Sequence, residues 1–163
     1  DEIKDNKFIG FLFVGRGSRF NFLKDFSNKK GLENVLFYDQ ISDEEISNLY
    51  KQCFCGLIVL DKRHQTHNIP GKLLSYLYSG LPIFALVNKG NDLIDFVNQN
   101  QIGFATDNYS KKYLKKQLLK FVEQYKSFDN KLDETKRIAE NNFSSELIAK
   151  QISKNIMQKG YYL

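Results

Sequence analysis

Residues 8–14 read Phe8-Ile9-Gly10-Phe11-Leu12-Phe13-Val14, and they run into Gly15-Arg16-Gly17-Ser18. The first seven are apolar without the polar alternation of a half-exposed strand, the pattern of a strand buried on both faces of a parallel sheet. The glycines end it. Four more short apolar runs follow: 34–38 (NVLFY), 56–60 (GLIVL), 82–87 (PIFALV) and 102–105 (IGFA). The segments between them carry helical signals. Residues 20–26 make a short helix before a turn at 28–31. Ser42-Asp43-Glu44-Glu45 is a capping box, in which the Ser42 hydroxyl accepts from the third helical N–H and Glu45 reaches back. The helix it starts sets Ile46, Leu49, Tyr50 and Cys53 on one face. Pro70 suits the first turn of a helix that runs to Ser79 and stops at Gly80. Residues 88–91 turn, and 92–98 are helical again. Strands alternating with helices predict an α/β fold: a Rossmann-like parallel sheet with helices on both faces.

Past residue 105 every signal is helical. Leu114, Leu118, Phe121, Val122 and Tyr125 form a stripe at helical spacing, and two further helices are expected over 131–140 and 144–157. The chain therefore reads as a Rossmann-like core over 1–108 with a helical appendage over 109–163 on the same domain. There is no internal repeat and no linker to a second domain.

With 163 residues, 42% of them hydrophobic and 14% aromatic, the chain builds a real core, and wholesale disorder is excluded. No apolar run is long enough to span a bilayer. The charged N-terminal stretch lacks the apolar segment of a signal peptide, so a cytoplasmic location is expected. Cys53 and Cys55 are too few for a disulfide framework or a four-ligand zinc site and read as reduced thiols packed around the third strand. The net charge of +5 is concentrated in residues 111–137, which hold nine Lys/Arg and four acids. Such a segment is either a solvated helix face or a surface drawn to anionic lipid, with Lys111–Lys126 as the contact. No zinc-finger, ribonucleoprotein or helix-turn-helix pattern accompanies it, so nucleic acid is not expected as a partner.

Ligands of parallel sheets sit outside the carboxyl ends of the strands, so three loops are candidates: 15–18, 38–42 and 61–71. In the first, two glycines let backbone N–H groups approach a phosphate, and Arg16 can pair with it; a plain tight turn is the alternative. In Asn68-Ile69-Pro70-Gly71-Lys72-Leu73-Leu74-Ser75, a helix start, a glycine and a lysine together suit a diphosphate, and Ser75 lies within reach of a ribose or phosphate oxygen. It is not a P-loop, because position 66 is Thr and Leu follows Lys72. His64 and His67, with Asp61, are too sparse for a metal site, and no metal is expected; a sugar or phosphate contact suits His67 better. No nucleophile elbow is present, and the catalytic residue is left unassigned.

Three stretches resemble the nucleotide-sugar-binding, C-terminal half of family-four-type glycosyltransferases of the GT-B fold. Residues 11–18 (FLFVGRGS) look like the family's strand ending in V-G-x-G. Residues 31–46 (GLENVLFYDQISDEEI) and 68–85 (NIPGKLLSYLYSGLPIFA) look like two later segments, the last in the form typical of bacterial enzymes of O-antigen and capsule synthesis. The resemblance implies a retaining hexosyltransferase that moves a sugar from a nucleotide diphosphate sugar, UDP-linked by expectation, to a lipid-linked or saccharide acceptor. The nucleotide sugar is its substrate, and no cofactor is expected. By the same resemblance Tyr38, Asp39 and Gln40 lie near the base. Arg16, Gly17, His67, Asn68, Ile69, Pro70, Gly71, Lys72 and Ser75 lie along the diphosphate and sugar. The family's paired glutamates fall at His67 and Ser75. The family's domain also opens with one more strand, placed mid-sheet, and is preceded by an acceptor-binding N-terminal domain. The chain is therefore expected to be a fragment, peripheral at the inner face of a membrane. A GT-B nucleotide-sugar epimerase and a non-catalytic flavodoxin-like phosphate-binding module are the alternatives.

Overall fold

The computed structural model describes residues 2–63, 69–126 and 132–158. Among them five strands alternate with helices: β1 (Phe11–Val14), α1 (Phe20–Lys29), β2 (Val35–Tyr38), α2 (Asp43–Tyr50), β3 (Gly56–Val59), α3 (Lys72–Tyr78), β4 (Ile83–Leu86), α4 (Leu93–Gln99) and β5 (Gly103–Thr106). Three helices follow: α5 (Lys111–Tyr125), α6 (Leu132–Phe143) and α7 (Ser145–Gln158). Every pairing is parallel: β1 with β2, β3 with β4, and β4 with β5. The α/β class expected from the sequence is the one observed.

The strands form two sheets rather than one. One has the order β1-β2, the other β3-β4-β5, and β1 is not hydrogen-bonded to β3. The break in backbone pairing falls between β1 and β3.

The three-stranded sheet is covered on both faces. Ile58, Ile83, Ala85 and Ala105 point to one side. There they meet Leu73, Tyr76 and Leu77 of α3, Leu93 and Val97 of α4, and Ala139 of α6. Phe84, with Leu57 and Phe104, points to the other and meets Phe121 and Tyr125 of α5. This alternation is what a central parallel strand requires of an unbroken apolar run. Phe121 is 2% exposed and packs edge-on against Phe84 at a centroid distance of 5.4 Å.

The β1–α1–β2 unit differs. Phe13 stacks on Phe37 across the strand pair, and Phe20 of α1 closes edge-on over Phe37. Neither face is closed: Phe13 itself is exposed, and on the opposite face Leu36 is 52% exposed and Tyr38 57%. The apolar run at 8–14 thus gives a strand, but not one buried on both faces. Pairing begins at Phe11, and Phe8 is exposed. The chain before it is held by the Asn34 side-chain amide, which donates to the carbonyls of Ile9 (3.0 Å) and Ile3 (3.2 Å).

The capping box forms as expected. The Glu45 N–H donates to Ser42 Oγ, and the Ser42 N–H donates to Glu45 Oε2 at 2.9 Å. The helix at Pro70 starts later than expected, at Lys72. The Leu73 and Leu74 N–H groups bond back to the Pro70 and Gly71 carbonyls at 2.9 and 3.2 Å, a tighter winding than an α-turn. Gly80, at φ 73°, ends the helix where a residue with a Cβ would be strained.

Two strand glycines are set by packing. In β3–β4–β5 Ile83 lies between Gly56 and Gly103. A Cβ on Gly56 would enter the Tyr76 ring, and one on Gly103 would enter the Ile83 backbone. Nothing lies within 4 Å of a Cβ built on Gly17. Gly103→Ala is therefore expected to cost about 1–3 kcal/mol or more of unfolding free energy through overpacking. Gly17→Ala should stay within about 0.5 kcal/mol of the parent. Urea denaturation of the two variants checks this, and equal midpoints would refute the packing account.

Candidate functional site

The carboxyl ends of β1 and β2 lie side by side because the strands pair in register, Val14 with Tyr38. The ladder continues one residue further, with the Gly15 N–H donating to the Tyr38 carbonyl at 3.1 Å. Gly15 takes φ 137°, a conformation that strains any L side chain, so glycine is required there for the turn itself. The turn brings Arg16 to the end of β2, where its Nε donates to Asp39 Oδ1 at 2.9 Å. The same oxygen accepts the Gln40 N–H at 2.7 Å. That backbone bond, then the bond and charge of Arg16, hold the Asp39 carboxyl below the ordinary carboxylate range. Tyr38 and Gln40 are exposed beside the pair.

The second cluster lies at the start of α3. Ile69 and Pro70 are half-buried, and Ile69 packs on the main core. Gly71, Lys72 and Ser75 are exposed, and no atom lies within 4 Å of a Cβ built on Gly71. Leu73 and Leu77, fully buried, fix the helix that carries Lys72 and Ser75. The structure thus brings Arg16 and Asp39 together at one sheet. It sets Lys72 and Ser75 on an element packed against the other. Among the described residues no hydrogen bond or ion pair joins the two clusters. His64, His67 and Asn68 lie outside the described residues. Asp61 is engaged elsewhere: its Oδ1 accepts from Arg63 Nε at 2.9 Å and its Oδ2 from Arg63 Nη2 at 2.6 Å, which lowers its carboxyl strongly.

Two features of the same edge escape a reading of the sequence. After β4, Asn88 and Asn91 are each 3% exposed. Asn91 Nδ2 donates to Asn88 Oδ1, and Asn91 Oδ1 accepts the Leu93 N–H, both at 3.0 Å. The side chains thus build the turn that the sequence shows only as polar. After β5, the Tyr109 hydroxyl donates to the Leu60 carbonyl at 2.8 Å and ties that loop to the end of β3. A tyrosine 49 residues from its acceptor carries no local signal.

Cys53 and Cys55 are free thiols that pack on the two faces of the three-stranded sheet. Burial raises both, and the Cys55 thiol is pushed up to about 12, so neither is a thiolate at neutral pH. An open concavity runs along α7, between Glu146, Ala149, Lys150, Ser153, Lys154 and Met157, and involves none of the strand-end loops.

Parallel strands flanked by helices, with turns and charged side chains gathered at the carboxyl ends, define a Rossmann-like α/β domain with a helical end. A family model, Glycosyl transferases group 1, matches residues 2–153. The match covers most of the chain, and the chain belongs to this family; glycosyl transfer is its general chemistry. No match was found among curated proteins. No helix among the described residues is long and apolar enough to cross a membrane.

The buried asparagine turn gives a test of how rigid this edge is. Asn91→Ala removes the acceptor of the Leu93 N–H and the donor to Asn88 inside a buried turn. A loss of about 1–3 kcal/mol in urea denaturation is expected, and an unchanged midpoint would show the turn to be held by other contacts.

Proposed function

We propose that this chain is the donor-binding, C-terminal part of a bacterial glycosyltransferase of surface-polysaccharide synthesis, O-antigen or capsule. It takes a sugar from a UDP-linked donor and passes it, with retention, to a lipid-linked or saccharide acceptor held by an N-terminal domain. The observation that carries the reading is the family match over 2–153. The strand-end geometry supports it. Lys72 stands exposed beside the open surface of Gly71, and Arg16 stands at the end of the neighbouring sheet. Cations placed ahead of the reaction stabilise the negative charge that develops on the departing diphosphate without reorganising to do so. Gly17, Pro70 and Ile69 leave backbone near that charge, and Tyr38 and Gln40 flank the base. Ser75 offers a hydroxyl to the ribose, and the family resemblance assigns His67 and Asn68 to the donor as well. The nucleotide sugar is substrate and no cofactor is invoked.

Calorimetric titration with UDP, GDP and ADP tests the reading. Selective binding of UDP is expected, weakened roughly tenfold in Lys72→Ala, the scale of one charge-assisted hydrogen bond. A folded chain that binds none of the three overturns it.

The same proposal places the protein at the cytoplasmic face of the membrane through α5. Lys111, Lys112, Lys115, Lys116, Lys120 and Lys126 are all exposed, and over Lys111–Lys126 the one acid is Glu123, paired with Lys126 at 2.6 Å. Phe121 and Tyr125 face inward, so the lysines form the outer face. Co-sedimentation with phosphatidylserine vesicles is expected at low salt and should fall steeply as salt rises. Equal binding to phosphatidylcholine vesicles would exclude an electrostatic contact.

A further inference from the structure

The Arg16–Asp39 ion pair joins residues 23 apart in the chain, whereas Asp61–Arg63, Glu123–Lys126 and Glu146–Lys150 join residues two to four apart. Its side chains are 72% and 74% exposed, which makes it a poor source of stability. Its geometry is nevertheless specific. The carboxylate is fixed from behind by the Gln40 N–H, and it engages Arg16 through Nε alone. A guanidinium held at Nε keeps its two terminal nitrogens as a planar edge, the edge that takes two oxygens of a phosphate at once. The arginine is anchored to a turn that Gly15 makes possible, and both partners leave the carboxyl ends of paired strands.

We infer that Asp39 is a positioning residue: it holds the Arg16 guanidinium so that its terminal edge receives the diphosphate of the donor. The inference rests on the donor-binding reading above and changes the part Asp39 plays in it. Asp39 does not read the base through Oδ1, because Arg16 and the Gln40 N–H already occupy that oxygen. It acts through Arg16. Ordering the arginine beforehand lowers the side-chain entropy lost on binding. The negative charge of Asp39 opposes the incoming phosphate, but at this exposure solvent screens that repulsion.

The test is titration of the chain with UDP and with UMP, in the parent, Arg16→Gln, Asp39→Asn, the double variant Arg16→Gln/Asp39→Asn, and the exchange variant Arg16→Asp/Asp39→Arg. Asp39→Asn is expected to weaken UDP roughly threefold or more, at the lower end of coupling between contacting residues. UMP should change less. The asparagine should add nothing in the Arg16→Gln background. The exchange variant restores an ion pair but moves the cation to β2. It should melt like the parent and still bind UDP weakly. UDP affinity unchanged or improved in Asp39→Asn overturns the inference, as does full recovery of UDP binding in the exchange variant, which would reduce the pair to a structural tie. If the folded parent binds UDP and Lys72→Ala weakens it while Asp39→Asn does not, only this inference falls. If the folded parent binds no UDP, the donor reading falls and the inference with it.

Discussion

Ile83 sits on β4 between Gly56 and Gly103, and the rest of the chain depends on that row. A Cβ at either glycine would collide, with the Tyr76 ring on one side and the Ile83 backbone on the other. With both Cβ atoms absent, α3 settles close to β3, and the Tyr76 hydroxyl donates to the Leu57 carbonyl at 3.4 Å. From Ile83 the strand alternates sides. Ile83 and Ala85 enter the core that α3, α4 and α6 complete, and Phe84 enters the one that α5 completes. One four-residue strand thereby fixes the helix carrying Lys72 and the helix carrying the lysine face. Tyr76 also reaches Tyr50 of α2, edge-on at 5.3 Å, so the connection from β2 is anchored to the same helix.

The β1–α1–β2 unit has no such centre. Among its described residues only Ser27 is buried, and ring contacts between its elements join Phe13, Phe20 and Phe37. Read as sequence, 8–14 and 82–87 are equally apolar, and both predict a buried parallel strand. Only the second becomes one. Local apolarity tells which strand a segment can form; whether a second layer and a second neighbour exist for it is decided by elements elsewhere. β4 has pairs on both edges and helices on both faces. β1 has β2 on one edge, α1 on one face, and a break on its other side.

Of the candidate site, what the sequence revealed was what local chemistry encodes. The glycines after β1, the Ser42 cap and the lysine at the start of α3 are written in neighbouring residues, and they stand where the spacing put them. The start of α3 shifted by two residues because proline permits a first turn without fixing its winding. The Arg16–Asp39 pair spans 23 residues and joins two loops that meet only once β1 and β2 are in register. The Asn88–Asn91 turn and the Tyr109–Leu60 bond are invisible for the same reason, since polar residues in a turn do not announce which of them will be buried.

Arg16 and Lys72 are carried by halves built on different sheets, and on the proposed reading this shapes what a ligand does to the protein. Arg16 is carried by the half with little core, and Lys72 by the half with nearly all of it. On the proposed reading, a diphosphate held by both would join the sheets through its own oxygens, across a boundary that no backbone hydrogen bond between β1 and β3 crosses. Binding energy would then go partly into fixing the β1–α1–β2 unit and partly into affinity, since a ligand stabilises only the arrangement that it recognises. Donor grip and domain order would be one equilibrium. Substitutions that loosen the weaker half, such as loss of the Phe13–Phe37 stack, would then lower affinity without touching the ligand.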